Sequence, residues 1–169
     1  MAAPLRPVDV DELLRAADAF VIALDGVTDP RNLGAVLRCA ETAGATGVVL
    51  PRHRSARMTP AVTKAAAGAI EYLPIASVAG IPAMLDRASR KGVWSVGLDE
   101  GGSQSLFDLN LTDQPIVLVL GAEGRGLARL TRDRCDVLAH IPMRGRVSSL
   151  NVAAAAALAC HEVARRRAV

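Results

Sequence analysis

The sequence predicts an α/β protein with one parallel sheet that is covered by helices on both faces. Short apolar runs alternate with segments of helical pattern along the 169 residues. Two of the runs, residues 20–24 and 116–120, are apolar at every position, which is typical of strands that are buried on both faces of a sheet. Parallel strands need long crossover connections, and the intervening helical segments supply them.

Turn and capping residues divide the chain into these elements. Gly44 follows a helical segment, Thr59 and Pro60 form a suitable helix start, and Pro74 weakens the strand pattern around it. We predict strands at residues 20–24, 47–50, 72–75, 93–98, 116–120 and 136–141. We predict helices at residues 32–43, 59–67, 81–91, 130–134 and 149–167. Residues 1–18 are expected to be a peripheral segment or the remnant of a linker, and residues 19–169 one domain.

The composition is that of a globular domain and excludes several kinds of site. Apolar residues make up 51% and charged residues 22% of the chain, and the formal net charge is +3. This charge is compatible with a nucleic-acid partner without establishing one. Aromatic residues make up only 2%, so the chain has little material for a base-stacking platform. The three cysteines lack metal-ligand spacing, so we expect no disulfide framework and no metal. With no signal peptide and no membrane-length apolar run, we expect a cytoplasmic protein.

The first of three stretches that carry chemistry is residues 32–38, NLGAVLR. Asn32 is suited to cap the helix that follows. Arg38 lies on a different side of that helix, and it is either an ordinary surface residue or a planar fork for a nucleic-acid phosphate. The loop with Arg52 and Arg54 is open to the same two interpretations.

The second stretch, residues 121–126 (GAEGRG), directly follows the most strand-like run of the chain. Its glycines would let the backbone approach a ligand closely. The stretch matches neither phosphate-binding glycine pattern, and Glu123 would repel a phosphate. An uncharged or cationic ligand suits this loop better, and the alternative is a merely tight turn between a strand and a helix.

The third stretch, residues 141–151, combines positive charge with neutral hydrogen-bonding groups. Arg144 and Arg146 supply the charge, and Ser148 or Ser149 is suited to cap the final helix. That helix is alanine-rich over residues 152–160, which indicates either close packing or simply high helix propensity. The arginines at residues 165–167 are interpreted as a solvated tail rather than a nucleic-acid patch.

Together the three stretches resemble the three motifs of the SpoU/TrmH family, which are RNA ribose 2′-O-methyltransferases of the SPOUT class. The resemblance is carried by residues 25–34 with Arg38, by residues 121–126, and by residues 141–143 with residues 148–152, in the same order. It covers nearly all of the chain from residue 20 onward. The residues of the three motifs are most similar to those of bacterial 23S rRNA guanosine-2′-O-methyltransferases. One departure is Ala153, where family members often have serine.

The resemblance implies a SPOUT fold with a C-terminal trefoil knot, a homodimer, and S-adenosylmethionine bound in the knot. It implies that residues 19–169 are a catalytic domain that methylates a ribose 2′-hydroxyl in RNA, with rRNA preferred over tRNA. By position, the family's catalytic residues match Asn32, Arg38, Glu123, Ser149 and Asn151. The methyl-donor pocket would be lined by Leu120, Gly121, Ile141, Met143, Leu150 and Asn151. The arginines expected to contact RNA are Arg31, Arg38, Arg52, Arg54, Arg144 and Arg146.

Other interpretations make different demands on the same residues. A Rossmann-type methyltransferase would place its glycine-rich loop after the first strand, whereas here the loop starts at residue 121. A non-catalytic RNA-binding module of the same fold is disfavoured by the presence of Arg38, Glu123 and Asn151. A nucleotide-binding domain would need one of the two missing phosphate motifs. Because a guanidinium keeps its proton, Arg38 is expected to hold a phosphate and stabilise a developing alkoxide rather than act as a general base.

Overall fold

The computed structural model describes residues 7–111 and 114–168, and its elements follow the alternation that the sequence predicts. The strands are β1 (Phe20–Asp25), β2 (Gly47–Pro51), β3 (Ile75–Val78), β4 (Trp94–Leu98), β5 (Gln104–Ser105), β6 (Ile116–Gly121) and β7 (Val137–His140). The helices are α1 (Val10–Arg15), α2 (Pro30–Thr42), α3 (Pro60–Ala66), α4 (Ile81–Arg90), α5 (Arg129–Arg134) and α6 (Val152–Arg167), with short 3₁₀ turns at Ala69–Glu71 and Leu106–Asp108.

The seven strands form one sheet in the order β3-β2-β1-β6-β4-β7-β5, and every pair is parallel. Successive side chains of the central strands enter opposite layers of the core. In β1, Ile22 packs beneath α2, α3 and α6, whereas Val21 packs beneath α1 and α4. Both side chains are fully buried. The predicted fold class, a parallel sheet with helices on both faces, is therefore confirmed.

Two strands differ from the prediction. β3 begins at Ile75 rather than at residue 72, because the chain first forms the 3₁₀ turn at Ala69–Glu71 and leaves Tyr72 75% exposed. Pro74 has no N–H to donate, but its carbonyl accepts from Val48 N at 2.9 Å, so hydrogen bonding to β2 begins at this carbonyl. β5 was not predicted, because two residues that pair only with β7 are too short to show a periodicity.

The helix caps also differ from the prediction. Asp29, rather than Asn32, caps α2, and its Oδ1 accepts from Arg31 N at 2.7 Å and from Asn32 N at 3.1 Å. Asn151, rather than Ser148 or Ser149, caps α6 by accepting from Ala153 N at 2.8 Å. In both cases the capping oxygen comes from the residue just before the helix, whose backbone is not yet helical.

The described part of the first 18 residues includes α1, which packs against the sheet. Leu13 and Leu14 of α1 are buried in the core. At Gly47, the first residue of β2, a Cβ atom would lie 2.6 Å from Leu13 Cδ2. This glycine lets α1 pack directly on the sheet. Residues 1–6 lie outside the described residues.

The C-terminal arginines are not a solvated tail. The Arg167 guanidinium donates to the carbonyls of Asp18 (2.8 Å), Gln114 (2.8 Å), Leu111 (3.3 Å) and Ala19 (3.4 Å). It also lies 5.5 Å from the centre of the Phe20 ring. Arg167 therefore ties the end of α6 to the start of β1 and to the segment that precedes β6. The predicted solvated tail is wrong because these carbonyls attract the guanidinium.

Arg165 and Arg166, its neighbours on α6, both pair with Glu162, at 2.8 and 2.9 Å, and Arg166 also donates to the carbonyl of Phe107. Glu162 is only 8% exposed, and its hydrogen bonds to Arg165 and Arg166 lower its pKa to about 2.

Within residues 7–111 and 114–168, no helix has the length and apolar character that a membrane span requires.

Candidate active site

A cleft of about 660 Å³ opens at the carboxyl ends of β4, β6 and β7. Ligands bind at this edge of open parallel sheets, and the volume suits a small organic molecule. Its apolar wall includes Leu98, Leu120, Ile141, Leu150 and Val152. Of the residues predicted to hold a methyl donor, the following line the cleft: Leu120, Gly121, Ile141, Met143 and Leu150.

The loop after β6 is a tight turn in which glycine is required. Ala122 and Gly126 exchange two backbone hydrogen bonds, of 3.0 and 2.8 Å. Gly124 and Gly126 have φ values of +77° and +66°, where other residues are strained. A Cβ atom at Gly121 would lie 2.2 Å from the carbonyl carbon of Gly126. The glycines therefore let the loop fold back on β6 and expose Glu123 at its tip.

A closed network of side chains joins the three stretches that the sequence singled out. Asn32 Nδ2 donates to Glu123 Oε2 at 3.1 Å. Asn151 Nδ2 donates to Glu123 Oε1 at 2.9 Å and to Asn32 Oδ1 at 3.2 Å. The three residues lie in separate segments, more than 25 positions apart in the sequence and at the carboxyl edge of one sheet. The prediction that they share one site is supported by these contacts.

More of the hydrogen-bonding groups of Asn151 than of Asn32 are engaged in contacts. Both N–H groups of the Asn151 amide are engaged, and its Oδ1 accepts from Ala153 N at the start of α6. An amide has two donors and two lone pairs, so Asn151 retains no free donor for a ligand. Asn32 donates once, to Glu123, and its other N–H has no partner among the residues that the structure describes. The Asn151 side chain holds Asn32 and Glu123 in place, and its contact with a methyl donor stays a prediction.

Arg38 lies on the exposed surface of α2. Among the residues that the structure describes, its guanidinium has no hydrogen-bond or ion-pair partner. Its helix is held against α6 one turn further on, where Thr42 Oγ1 lies 3.4 Å from His161 Nε2, and at Cys39, whose Sγ lies 3.9 Å from the carbonyl oxygen of Ala153. Arg38 is therefore an unpaired cation on a helix that carries Asn32 at its first turn.

The three cysteines are unsuited to nucleophilic chemistry. Burial raises the pKa of the Cys39 thiol above its ordinary value. Burial raises the pKa of Cys160 to about 12, and burial with nearby carboxylates raises that of Cys135 to about 12. The thiolate is the reactive form, and these thiols stay protonated at neutral pH. In residues 7–111 and 114–168, no group of three or more His, Cys, Asp and Glu side chains is arranged to hold a metal ion.

The loop after β4 contributes residues that the sequence analysis missed. Asp99 lines the cleft with a side chain that is only 11% exposed, and its Oδ1 accepts from Gly101 N at 2.8 Å and pairs with Arg132 at 3.3 Å. His140 Nδ1 donates to the carbonyl of Gly102 at 2.8 Å. The sequence does contain an indication of a ligand loop here, because residues 99–102 (DEGG) directly follow a predicted strand. With Glu100 and Glu123, Asp99 brings three carboxylates to the cleft.

The two serines of the third stretch, Ser148 and Ser149, line the same cleft and are exposed. The described residues supply no hydrogen-bond partner for either hydroxyl. Both hydroxyls are therefore free to bind a ligand. The arginines predicted to contact RNA are also all exposed and are found in the first turn of α2, on its outer surface, and in the loops after β2 and β7: Arg31, Arg38, Arg52, Arg54, Arg144 and Arg146.

Comparison with known proteins gives consistent matches over most of the chain. The model of the SpoU rRNA Methylase family matches residues 19–161. The 23S rRNA (guanosine-2′-O-)-methyltransferase RlmB of Pseudomonas putida is 44% identical over 162 residues, which are 95% of this chain and 65% of that protein. A putative TrmH family tRNA/rRNA methyltransferase of Bacillus subtilis, YacO, is 38% identical over 164 residues, or 94% of this chain and 66% of that protein. The chain thus spans just under two thirds of the length of these relatives.

Solved structures match this chain over a similar share of its length. The SpoU methyltransferase AviRb of Streptomyces viridochromogenes, in complex with the cofactor AdoMet, has a TM-score of 0.85 and 32% identity, covering 94% of this chain and 61% of that one. An AdoMet-bound rRNA methyltransferase of Sinorhizobium meliloti has a TM-score of 0.86 and 30% identity, covering 95% and 61%.

Proposed function

This chain belongs to the SpoU rRNA Methylase family, and from that premise we propose that it transfers a methyl group from S-adenosylmethionine to a ribose 2′-hydroxyl in RNA. The observation that carries the proposal is the network of Asn32, Glu123 and Asn151 at the mouth of the cleft. The network holds the start of the first stretch, at Asn32, beside the cleft formed by the second and third. Methyl transfer needs this juxtaposition, because donor and acceptor must be aligned within one site.

The cleft suits the proposed methyl donor in size and in chemistry. Its volume of about 660 Å³ and its apolar wall fit an adenosine-sized ligand. When bound, S-adenosylmethionine supplies a methyl group already activated by a positively charged sulfur. The cleft is lined by the carboxylates of Asp99, Glu100 and Glu123 and by the guanidiniums of Arg125 and Arg132. Because Arg132 pairs with Asp99, Glu100 and Glu123 are the carboxylates that would attract the positively charged sulfur. Leu120, Ile141 and the other predicted apolar residues would hold the donor there, and Ser148 and Ser149 offer free hydroxyls.

The polar residues at the mouth of the cleft would position the RNA. Arg38 offers a planar, permanently charged group to a phosphate beside the reacting ribose and to the charge that develops on the 2′-oxygen. Its guanidinium is unsuited to remove the hydroxyl proton. Asn32 has one free N–H for the ribose, and Glu123 holds the amides of Asn32 and Asn151 in place. Ser149 completes the set of catalytic residues that we propose.

We propose rRNA, and a guanosine of 23S rRNA in particular, as the substrate. This choice rests on the relatives of 44% identity that carry that name. A tRNA substrate is the second candidate, because the name of the Bacillus subtilis relative includes both RNAs. A binding module without activity is disfavoured by the complete set of Arg38, Glu123 and Asn151. Arg31, Arg144 and Arg146 would contribute further phosphate contacts.

We further propose that residues 19–169 form the catalytic domain and that its C-terminal part is knotted. One feature that supports a knot is the position of β7, which lies between β4 and β5, although both of these precede it in the chain. Another is Arg167, which binds the carbonyls of Leu111 and Gln114 in the segment that leads from β5 to β6. The proposed homodimer has an exposed candidate surface on α6 at Leu158, which is 45% exposed. A cytoplasmic location stays a prediction.

Transfer of labelled methyl groups to purified RNA tests this function. The chain is incubated with labelled S-adenosylmethionine and with bacterial 23S rRNA or tRNA, and the RNA is then hydrolysed in alkali. A methylated 2′-oxygen cannot attack the neighbouring phosphate, so the label is expected in an alkali-resistant dinucleotide. Label found only on bases would refute ribose methylation, and label in tRNA alone would refute the rRNA assignment.

Replacing Arg38 with lysine tests the role of its planar fork. We expect Arg38→Lys to lower the rate of methyl transfer at least about 10-fold, because one bidentate charge-assisted contact is worth more than about 1.4 kcal/mol. The affinity for S-adenosylmethionine, measured by calorimetry, should not change. The control is Arg15→Lys, at the end of α1. Near-normal turnover in Arg38→Lys would exclude any role that depends on the fork geometry.

A further inference from the structure

Many of the positive charges of this chain are paired within the described residues, but those of the loop after β2 are not. The ion pairs of the described residues involve α1, α4, α5, α6 and the loop after β4: Arg87 and Lys91 with Asp11, Arg134 with Asp86, Arg132 with Asp99, Arg129 with Asp133, and Arg165 and Arg166 with Glu162. By contrast, the arginines of the loop after β2, namely Arg52, Arg54 and Arg57, are exposed and take part in none of these pairs. Exposed guanidiniums that the protein does not neutralise are available to an external anion.

The loop after β2, residues 52–57, is held in place at both sides. Arg52 N donates to the carbonyl of Val78 at the end of β3 at 2.8 Å, and Ala56 N donates to the carbonyl of Val27 in the loop after β1 at 3.1 Å. Ala56 is 9% exposed and belongs to the core. Arg54 has a φ of +57°, an uncommon value for a residue other than glycine. The backbone is therefore anchored while the arginine side chains stay exposed.

The position of this loop relates it to the candidate active site. β2 is adjacent to β1, and β1 is adjacent to β6. All three strands end at the same edge because they are parallel. Two strand spacings separate the loop from the start of the Gly121 loop, which corresponds to roughly 10 Å. The hydrogen bond from Ala56 N to the Val27 carbonyl links it to the segment that leads into α2 and Asn32.

The β4 side of the cleft carries charges of both signs. Asp99 and Glu100 of the loop after β4 line the cleft, but so do Arg125 and Arg132, and Arg132 pairs with Asp99 at 3.3 Å. The acids on the β1 side accept from backbone N–H groups: Asp25 Oδ2 from Ala128 N, and Asp29 Oδ1 from two N–H groups of α2. The unpaired arginines after β2 therefore attract a polyanion along the β1–β2 side.

We infer that the Arg52–Arg57 loop is an RNA-backbone clamp, which binds phosphates next to the methylated nucleotide as the strand leaves the cleft over β1 and β2. This inference rests on the proposed function and specifies the path of its substrate. The clamp reads no bases, because aromatic residues are absent from residues 52–57 and stacking would need them. Its contribution is electrostatic and depends on salt.

The dependence of RNA affinity on salt tests the clamp. Affinity for a fluorescent single-stranded RNA of about 15 nucleotides is measured by anisotropy between about 50 and 200 mM salt. Each phosphate contact to a single strand contributes about 0.7 to the slope of log K against log salt, so Arg52→Gln/Arg54→Gln is expected to lower the slope by about 1.4. Arg52→Lys/Arg54→Lys should restore most of it, because a point charge suffices for a phosphate.

The matched control is Arg15→Gln/Arg90→Gln, which removes the same charge at the ends of α1 and α4. Its slope should remain that of the wild-type chain, and all variants should bind S-adenosylmethionine with unchanged affinity in calorimetry. An unchanged slope in Arg52→Gln/Arg54→Gln, or an equal loss in the control, would overturn the clamp. Neither result bears on methyl transfer, whereas a wild-type chain that yields no alkali-resistant dinucleotide would overturn the proposed function itself.

Discussion

Removing the Arg167 guanidinium is predicted to destabilise the whole fold, although the residue lies at the end of the last helix. Its four carbonyl partners belong to two segments: residues 18–19 at the start of β1, and the segment before β6 with Leu111 and Gln114. Two of the bonds are 2.8 Å long, and two are 3.3–3.4 Å. A hydrogen bond to a charged group contributes about 1.5–3 kcal/mol. Counting only the two short bonds gives about 3 kcal/mol or more.

Two further terms modify this figure. The cation–π contact with Phe20, at 5.5 Å, adds about 0.5–1 kcal/mol. Burial opposes the charge, as the lowered pKa of Arg167 indicates. We therefore expect Arg167→Ala to lower the free energy of unfolding by about 3 kcal/mol. Arg167→Lys should lose about half of that, because one ammonium cannot reach the carbonyls of both segments.

Urea unfolding followed by circular dichroism measures this effect at one fixed protein concentration. With a slope of about 2 kcal/mol per molar urea, a loss of 3 kcal/mol moves the midpoint down by about 1.5 M. The control is Arg165→Ala, because Arg165 is 63% exposed and Glu162 keeps its bond to Arg166. Its cost should be under about 0.5 kcal/mol. If both variants shift the midpoint equally, Arg167 does not tie these segments together.

The remaining predictions concern the site and the C-terminal ion pairs. Asn151→Asp keeps the cap of α6 but places a carboxylate 2.9 Å from the position of Glu123 Oε1. Because the two carboxylates repel each other, the rate of methyl transfer should fall at least about 100-fold, while the thermal midpoint of unfolding changes little. A variant with the wild-type rate would show that the network is dispensable. Gly121→Ala should abolish S-adenosylmethionine binding in calorimetry, because its Cβ would lie 2.2 Å from the Gly126 carbonyl carbon. The control is Gly145→Ala, where a Cβ meets open space. Equal affinities of the two variants for S-adenosylmethionine would contradict the steric argument. Glu162 has a pKa lowered from 4.5 to about 2, so the stability it contributes is fully present above about pH 4.5 and is lost as the pH falls towards 2. The difference in unfolding free energy between the wild-type chain and Glu162→Gln should shrink over that range, and a difference independent of pH would refute the paired carboxylate.

The parts of the site that the sequence predicted are those in which a short segment determines its own chemistry. The glycines of residues 121–126 and the polar groups of residues 141–151 stand directly after apolar runs, so strand ends and ligand loops were found together. Asp99 was missed although it also follows a strand, because a single acidic residue beside glycines is typical of an ordinary turn. Its importance comes from Arg132 and Glu123, which are distant in sequence.

Assignments that depend on competition between neighbours were less successful. Asn32 and Ser149 are good caps in isolation, yet Asp29 and Asn151 take those positions, because the backbone becomes helical at a point that local preference alone does not select. No apolar pattern around the arginines of residues 165–167 indicates whether their side chains are exposed or bound to the protein. Their partners are backbone carbonyls more than 50 positions away and one carboxylate nearby, which composition cannot reveal.

The amino-acid sequence by itself determined the fold class, the positions of the main strands along the chain and the three stretches of the site, because apolar periodicity and glycine placement act over a few residues. Only the tertiary structure decided that Asn32, Glu123 and Asn151 share hydrogen bonds, that Arg167 joins the end of α6 to the start of β1, and that the arginines after β2 lie two strands from the cleft. These features depend on the strand order β3-β2-β1-β6-β4-β7-β5, which brings distant segments within hydrogen-bond distance. Local sequence does not encode that order, since it results from the packing of the whole sheet.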